Sequence, residues 1–401
     1  MNRTIYGAQD FRQAGRQAIQ AALAVSRQTM LQWFAAYRAA LGERLIVPYR
    51  SELNTPLWEI GHIGWFEEFW LARNQQRVQG VHAEPDALRR ASWLQGADDF
   101  YNSSRVAHTR RWALPLPDAA GTLAYLAAIR EQSLALLDAS GEGDDDLYFF
   151  RLAIAHEDMH SEAWVYMAQN LGIPLAIPAP AALPVNQEIS VAGGEWQLGY
   201  SGAGFAFDNE LPAHVLRVAD FSIDSQVVSW RRYLPFVEAG GYDLPAYWSS
   251  AGWAWRQAQV SAHPRYLRRT GGGWESQHFG QWQELLADQP AVHLTYFEAE
   301  AWCRWAGRRL PSEAEWEMAA FSQPDAFNWG QVWEWSASAF APFNGFVAHP
   351  YRDYSRPWFD GRPVLRGASL ATSPRLRHAN YRNYFTHERN DIYAGFRSCA
   401  G

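Results

Sequence analysis

Between residues 9 and 171 apolar side chains recur three and four positions apart, and glycine and proline fall mainly between the runs. This period predicts four long helices, at about 9–41, 54–74, 119–139 and 146–171, which is the inventory of an up-and-down bundle. Gly172, Pro174, Pro178, Pro180 and Pro184 then crowd into one stretch that cannot continue a helix and reads as a semi-rigid linker. Beyond Gln187 the pattern changes to short strands, with Gly193-Gly194, Gly240-Gly241 and Gly271-Gly272-Gly273 as turn signals. Helical spacing returns only at 228–239 and 297–305. The expected organisation is therefore multidomain, α plus α+β: a helical bundle at 1–172, a linker at 173–187, and a loop-rich α+β domain at 188–401.

Composition narrows the function classes. The 401 residues suffice for two domains with cores of their own, and 48% hydrophobic with 19% charged residues suits a soluble globular protein. A net charge of −7, without basic blocks, argues against nucleic acid or an anionic membrane as partner and favours small molecules. No run of eighteen apolar residues occurs, and the stretch from Met1 to Arg16 is polar and mixed in charge, so a cytoplasmic protein is expected. Cys303 and Cys399 are the only cysteines, too few for a disulfide framework or a cysteine-built metal centre. The 21 tryptophans are several times an ordinary share, and aromatic walls suit sugar faces and quaternary ammonium groups.

The candidate chemistry is a three-histidine set. His156 and His160 lie four apart on one predicted helix face, and His62 would arrive from a neighbouring helix amid large apolar groups. Read literally, His156-Glu157-Asp-Met-His160 also matches the zinc-peptidase pattern, but that chemistry needs a further ligand downstream, where the linker begins. Three imidazoles accept zinc and non-haem iron alike.

The pair His156-x3-His160-x-Glu162, with His62 in Trp58-x-x-Gly-His-Ile-Gly-Trp-Phe-Glu-Glu68, resembles the DinB-type four-helix bundle of the ergothioneine-type sulfoxide synthases. The second half resembles their formylglycine-generating-enzyme-like, C-type-lectin-like domain. The stretches that carry this are Phe207-Asp-Asn-Glu210, Gly240-Gly-Tyr242, Trp305-Ala-Gly-Arg308 running into Ser312-Glu-Ala-Glu-Trp316, Trp333-Glu-Trp335, Leu365-Arg-Gly-Ala-Ser369 and Gly395-Phe-Arg397. The resemblance spans nearly the whole chain in order. It implies iron(II) held by His62, His156 and His160, with positions open for dioxygen, the imidazole of hercynine and a sulfur or selenium donor. It further implies Glu162 as an outer partner orienting a ligand ring, Asn383 placing hercynine, and Arg389 holding the donor as in members that use γ-glutamylcysteine; Arg105 is a further candidate donor contact. It also calls for a tyrosine near the iron, for which Tyr351 and Tyr354 are the candidates, since the stretch after the second helix reads Tyr101-Asn-Ser-Ser-Arg105.

Two departures matter. Met159 stands where the family often has glutamine. Phe385 stands where users of γ-glutamylcysteine have an aspartate that pairs with the donor's ammonium group, so the donor here should lack that group or bind elsewhere. The selenoneine-synthase branch, which uses a selenosugar, is similar over Glu388-Arg-Asn-Asp-Ile-Tyr-Ala-Gly-Phe-Arg397, and selenium is the expected element. The competing expectations are an ergothioneine-type enzyme with a thiol donor, a zinc-dependent DinB-type thiol transferase, and a sugar-binding module with structural histidines. Formylglycine formation itself would need a reactive cysteine pair, and Leu370-Ala-Thr-Ser373 stands in that neighbourhood.

Overall fold

The computed structural model describes residues 7–401; the beginning of the polar stretch read above, Met1–Tyr6, lies outside the described residues. The first half holds α1 (Ala8–Arg12), α2 (Arg16–Leu41), α3 (Pro56–Trp70), α4 (Ala97–Tyr101), α5 (Ala119–Asp138) and α6 (Asp144–Leu171). The long helix expected at 9–41 is broken after Arg12. The guanidinium of Arg151 takes up the Ala14 carbonyl at the break (2.9 Å), so the interruption leaves no orphan acceptor there.

Helix α3 starts on the Thr55 cap with Pro56 at its first position, where a missing N–H costs nothing. It is buried almost all round, so its carboxylates must find partners inside the bundle. Glu68 accepts from the Tyr125 hydroxyl (2.7 Å) and the Trp93 amide (2.6 Å). Gly61 lets α4 approach, since a Cβ there would sit 2.3 Å from the Tyr101 ring. Helix α6 opens on Asp144, Asp145 and Asp146, which face the positive end of its dipole, and closes on Gly172 in the left-handed region at φ +70°.

The second half begins with β1 (Glu188–Val191), β2 (Gly194–Leu198), β3 (His214–Val218) and β4 (Phe221–Asp224). After α7 (Trp230–Glu238) and α8 (Ser250–Gln257) come β5 (Leu267–Thr270), β6 (Gly273–His278), β7 (Gln281–Glu284), α9 (Tyr296–Trp305), β8 (Arg308–Arg309) and α10 (Glu313–Ser322). The chain ends through β9 (Trp333–Ala339), β10 (Pro363–Gly367), β11 (Asn383–Tyr384), β12 (Ala394–Gly395) and β13 (Cys399–Ala400). Two four-stranded sheets result, ordered β1-β4-β13-β8 and β11-β10-β9-β12, beside the hairpin β2-β3 and the meander β5-β6-β7.

Buried arginine–carboxylate pairs hold this domain where regular layers are short. Arg397 grips Glu334 (2.8 Å), Arg366 pairs with Glu317, and Arg382 pairs with Glu313 (2.9 Å). Trp316 Nε1 donates to the same Glu334 (2.8 Å). Such pairs are costly to break singly, because removing one partner leaves an unpaired buried charge.

One face of α6 docks the second half onto the bundle. Asp158 takes a two-pronged contact from Arg375 (2.6 and 2.7 Å), Glu162 accepts from Trp333 Nε1 (2.7 Å), and Gln169 binds the backbone of Gln277 and Phe279. Among the described residues no helix is long and apolar enough to cross a membrane.

Candidate metal centre

His62 rises from the middle of α3, and His156 and His160 lie one turn apart on α6. Their ring centroids are 5.0, 5.0 and 4.4 Å apart, and one nitrogen from each lies within 4.8 Å of the others. Packing fixes each ring. His62 stacks on Trp58, with its Nδ1–H donating to the Tyr101 carbonyl (2.7 Å), and His156 lies face to face on Phe66 at 3.5 Å. His160 gives its Nδ1 to the Glu59 carboxylate at 2.5 Å. With Nδ1 engaged on His62 and His160, their Nε2 lone pairs are the free donors, which is how an outer partner sets the tautomer of a metal ligand. Burial, with the neighbouring His160, pushes His62 down to about 3 and His156 well below its ordinary value, so both rings are neutral donors at pH 7. The donor set therefore fits a divalent transition metal.

Glu59 was not legible from local spacing. It sits one turn before His62 on α3 and bonds across to α6; Asn54 donates to its other oxygen (2.7 Å). Burial raises its carboxyl, but its polar neighbours, His160 first among them, together outweigh this and hold it below the usual range. Glu59→Gln is expected to keep the fold and to weaken metal affinity by about 10–100-fold, measured by chelator competition.

Glu162 corrects the expectation that it orients a ligand ring. Both its oxygens are taken by the second domain, from Trp333, Ser369 (2.6 Å) and Thr372 (2.8 Å), and it hydrogen-bonds to none of the three imidazoles. Glu157, the would-be base of the peptidase pattern, points the other way, into a buried ion-pair network with Arg27 and Arg130 (2.7 Å each).

Two cavities meet the histidines. The first, about 250 Å³, is lined by His156, His160 and Glu162 from the bundle and by Asn383 and Phe385 from the second domain, with Tyr166, Trp333 and Tyr381 as further aromatic walls. The register Leu365↔Asn383 sets Asn383 on the edge strand β11, at the cavity wall. The second, about 260 Å³, reaches His62 past Trp65 and Phe66 and carries Arg105 on its lining. Tyr351 lines both, 4.8 Å from the Phe66 ring centroid and 6.2 Å from that of His156. Its hydroxyl has no hydrogen-bond partner among the described residues, whereas the Tyr354 hydroxyl is engaged with Tyr381 (2.8 Å).

Arg389 does not line either cavity. Its guanidinium is paired with Asp391 (2.6 and 2.8 Å) and lies 4.9 Å from the Phe385 ring centroid. Cys303 and Cys399 are buried in the second domain, and burial pushes the Cys399 thiol up to about 12, so neither is a poised nucleophile.

A helical bundle that presents three imidazoles to cavities walled by a second, α+β domain defines a two-domain class of protein with a candidate metal site. The comparisons specify it. Residues 22–167 match the DinB superfamily, and residues 175–331 match the sulfatase-modifying factor enzyme 1-like domain. The hercynine oxygenase of Mycolicibacterium smegmatis is 32% identical over 406 residues, covering 87% of this chain and 91% of that protein. The hercynine oxygenase of Mycobacterium tuberculosis is 34% identical and covers 88% and 92%. The formylglycine-generating enzyme of Streptomyces coelicolor is 34% identical over 160 residues, 36% of this chain and 51% of that enzyme. The chain belongs to the hercynine oxygenase family.

Proposed function

We propose that this protein joins selenium to C2 of the imidazole of hercynine, using iron(II), dioxygen and a selenosugar. The observation that carries the proposal is the convergence of three imidazole donors on an aromatic cavity that also holds Asn383. Iron(II) on His62, His156 and His160 would supply oxygen activation and a cationic anchor for a selenolate or thiolate.

The chain's own groups do the rest. Asn383 offers an amide to orient the substrate imidazole, and Tyr166, Trp333, Tyr381 and Phe385 surround a trimethylammonium group with ring faces. Tyr351, its ring 6.2 Å from that of His156, holds a proton at its phenol oxygen; burial, with Asp353 and Asp208 nearby, keeps that phenol protonated far above neutral pH. Tyr354 supports it from 5.9 Å away, with its own hydroxyl bound to Tyr381.

The case for a selenosugar rests on what the cavity lacks. Phe385 provides no carboxylate for a donor ammonium, and Arg389 is already committed to Asp391. A neutral sugar, whose C–H faces pack on rings, makes no demand on either. Arg105, exposed on the wall of the second cavity, is the remaining donor contact in this proposal. The second reading is an ergothioneine-type enzyme that joins hercynine to cysteine or γ-glutamylcysteine. It draws on the two relatives, whose names specify hercynine and no selenium.

The deciding experiment is anaerobic reconstitution with iron(II), then air, hercynine and, in parallel, a selenosugar, cysteine or γ-glutamylcysteine, with mass spectrometry of the imidazole product. A selenium adduct from the selenosugar alone is expected. A sulfoxide from a thiol donor would establish the second reading, and the absence of any oxygen-dependent adduct would overturn both. Zinc with oxygen-independent thiol transfer would point instead to a DinB-type transferase.

A further inference from the structure

The 349–358 loop of the second domain carries Tyr351 and Tyr354 to the histidines, where Tyr351 packs on Phe66 (4.8 Å) and Trp70 (6.1 Å) of the bundle, yet its polar contacts with the bundle are light. Arg352 pairs with Asp86 (2.8 Å) at an exposed position, Ser104 donates to Asp353 (2.5 Å), and Tyr148 meets His349 (3.2 Å). Exposed pairs of this kind contribute little. The backbone and side chain at the two ends of the loop's 349–355 segment are held by one buried carboxylate from the Phe207-Asp-Asn-Glu210 motif. Asp208 is 2% exposed; its Oδ2 accepts the His349 amide (3.3 Å), and its Oδ1 accepts the Ser355 hydroxyl. The two bonds fall six residues apart, on either side of Tyr351 and Tyr354. Asp208 has no ion-pair partner among the described residues, so its burial is compensated by neutral donors alone.

We infer that Asp208 is a positioning residue: it clamps both ends of the 349–355 segment and so fixes Tyr351 on the wall that the two cavities share. The part that concerns turnover rests on the role proposed above for Tyr351, while the clamp itself does not. Neighbouring contacts act in the same sense. Phe207 stacks on Tyr354 (4.4 Å), and Tyr384 donates to the Tyr354 carbonyl, so the base of the loop is anchored within the second domain. An aspartate suits the place because one carboxylate offers two acceptor oxygens to two separate donors. An asparagine could serve there as well, since the Ser355 hydroxyl can turn to accept from an amide.

The test compares Asp208→Ala, Asp208→Asn and Ser355→Ala with the unaltered chain. Limited trypsin digestion reads the clamp directly through cleavage between Arg352 and Asp353, followed by mass spectrometry. Asp208→Ala is expected to speed that cut at least about tenfold, because opening of the loop then no longer breaks two bonds. Asp208→Asn should stay close to the unaltered chain and Ser355→Ala should fall between. In turnover, Asp208→Ala should lower kcat by about 100-fold with the hercynine KM little changed, the signature of a displaced reacting group. In a Tyr351→Phe background the same change should add almost nothing.

Unchanged proteolysis in Asp208→Ala would overturn the clamp. An Asp208→Asn variant as impaired as the alanine would make Asp208 a proton-carrying group and overturn the positioning role. A loss that persists undiminished in the Tyr351→Phe background would likewise sever Asp208 from Tyr351. Should Asp208→Ala fail to fold, Ser355→Ala carries the same proteolysis and double-mutant comparisons. Absence of turnover in the unaltered protein would count against the proposed function and leave the digestion result standing.

Discussion

If the three histidines hold the metal, replacing His160 with alanine is expected to leave a folded protein that takes up no iron(II) on anaerobic reconstitution, with product formation reduced by more than about 100-fold. The side chain of His160 is 19% exposed, whereas His62 and His156 are each 2% exposed as residues and are wedged between aromatic rings. Truncation at position 160 therefore removes a donor nitrogen with the least loss of packing. Two imidazoles remain, too few to close the set on one ion. Glu59 loses its partner from α6 and keeps only Asn54, which should cost about 1–3 kcal/mol for a buried acceptor left short of donors. That is survivable in a bundle of this size. Iron per chain by elemental analysis, with circular dichroism as the control for folding, checks the result. Full iron occupancy and undiminished turnover would remove His160 from the set and favour structural histidines.

The histidines were visible in the sequence for a physical reason. An i, i+4 pair on a long periodic helix has only one geometry, and a histidine inside an apolar run must face inward. The long helices were visible on the same grounds, and their observed spans match the expected ones within a few residues apart from the break after Arg12. Glu59 was hidden because its bond to His160 joins residues 101 apart, and no local pattern encodes which face of α3 meets α6. Glu162 misled for a related reason. Its spacing puts it near the metal face, but Ser369, Thr372 and Trp333 from the other domain had the stronger claim on its oxygens.

The short elements of the second domain were less legible. Helix α10 went unassigned although Ser312 and Glu315 form a capping box, a signal that stood in the sequence. Strands of two residues, such as β11 and β12, carry no period at all. Their positions are fixed by distant partners, as when Arg397 closes on Glu334 63 residues away. The quoted motifs of this half turn out to mark those partners more than the chemistry: Trp333-Glu334-Trp335 supplies a contact to Glu162, a buried ion pair and a bond to the Leu294 carbonyl in three consecutive residues.

The glutamate of the peptidase pattern gives the second large effect, and it should appear in stability, not in chemistry. Glu157 is 2% exposed and completes a square of alternating charges: Arg27 bridges Glu157 and Glu67 (2.7 Å each), and Arg130 does the same (2.7 and 2.9 Å). Glu157→Ala leaves two guanidiniums facing a single carboxylate in the bundle interior. Breaking a buried pair from one side costs about 3–5 kcal/mol, because the remaining charge stays buried without its partner. Glu157→Gln keeps the acceptor oxygen and should lose less. The expected readouts are a lowered urea midpoint for the helical signal and unchanged turnover per bound iron. Acid should mimic the variant. Burial raises the Glu67 carboxyl, but Arg130 and Arg27 outweigh it and hold it below its ordinary value. Its stabilisation is therefore complete at neutral pH and is lost as the pH falls below about 4.3, the unfolded-state value. A peptidase would behave in the opposite way, with Glu157→Gln abolishing catalysis in a protein of undiminished stability. That outcome would return Glu157 to the metal face and undo the assignment of the site, whereas a destabilised variant that still turns over per iron would confirm that this helix spends one face on the metal and another on holding the bundle together.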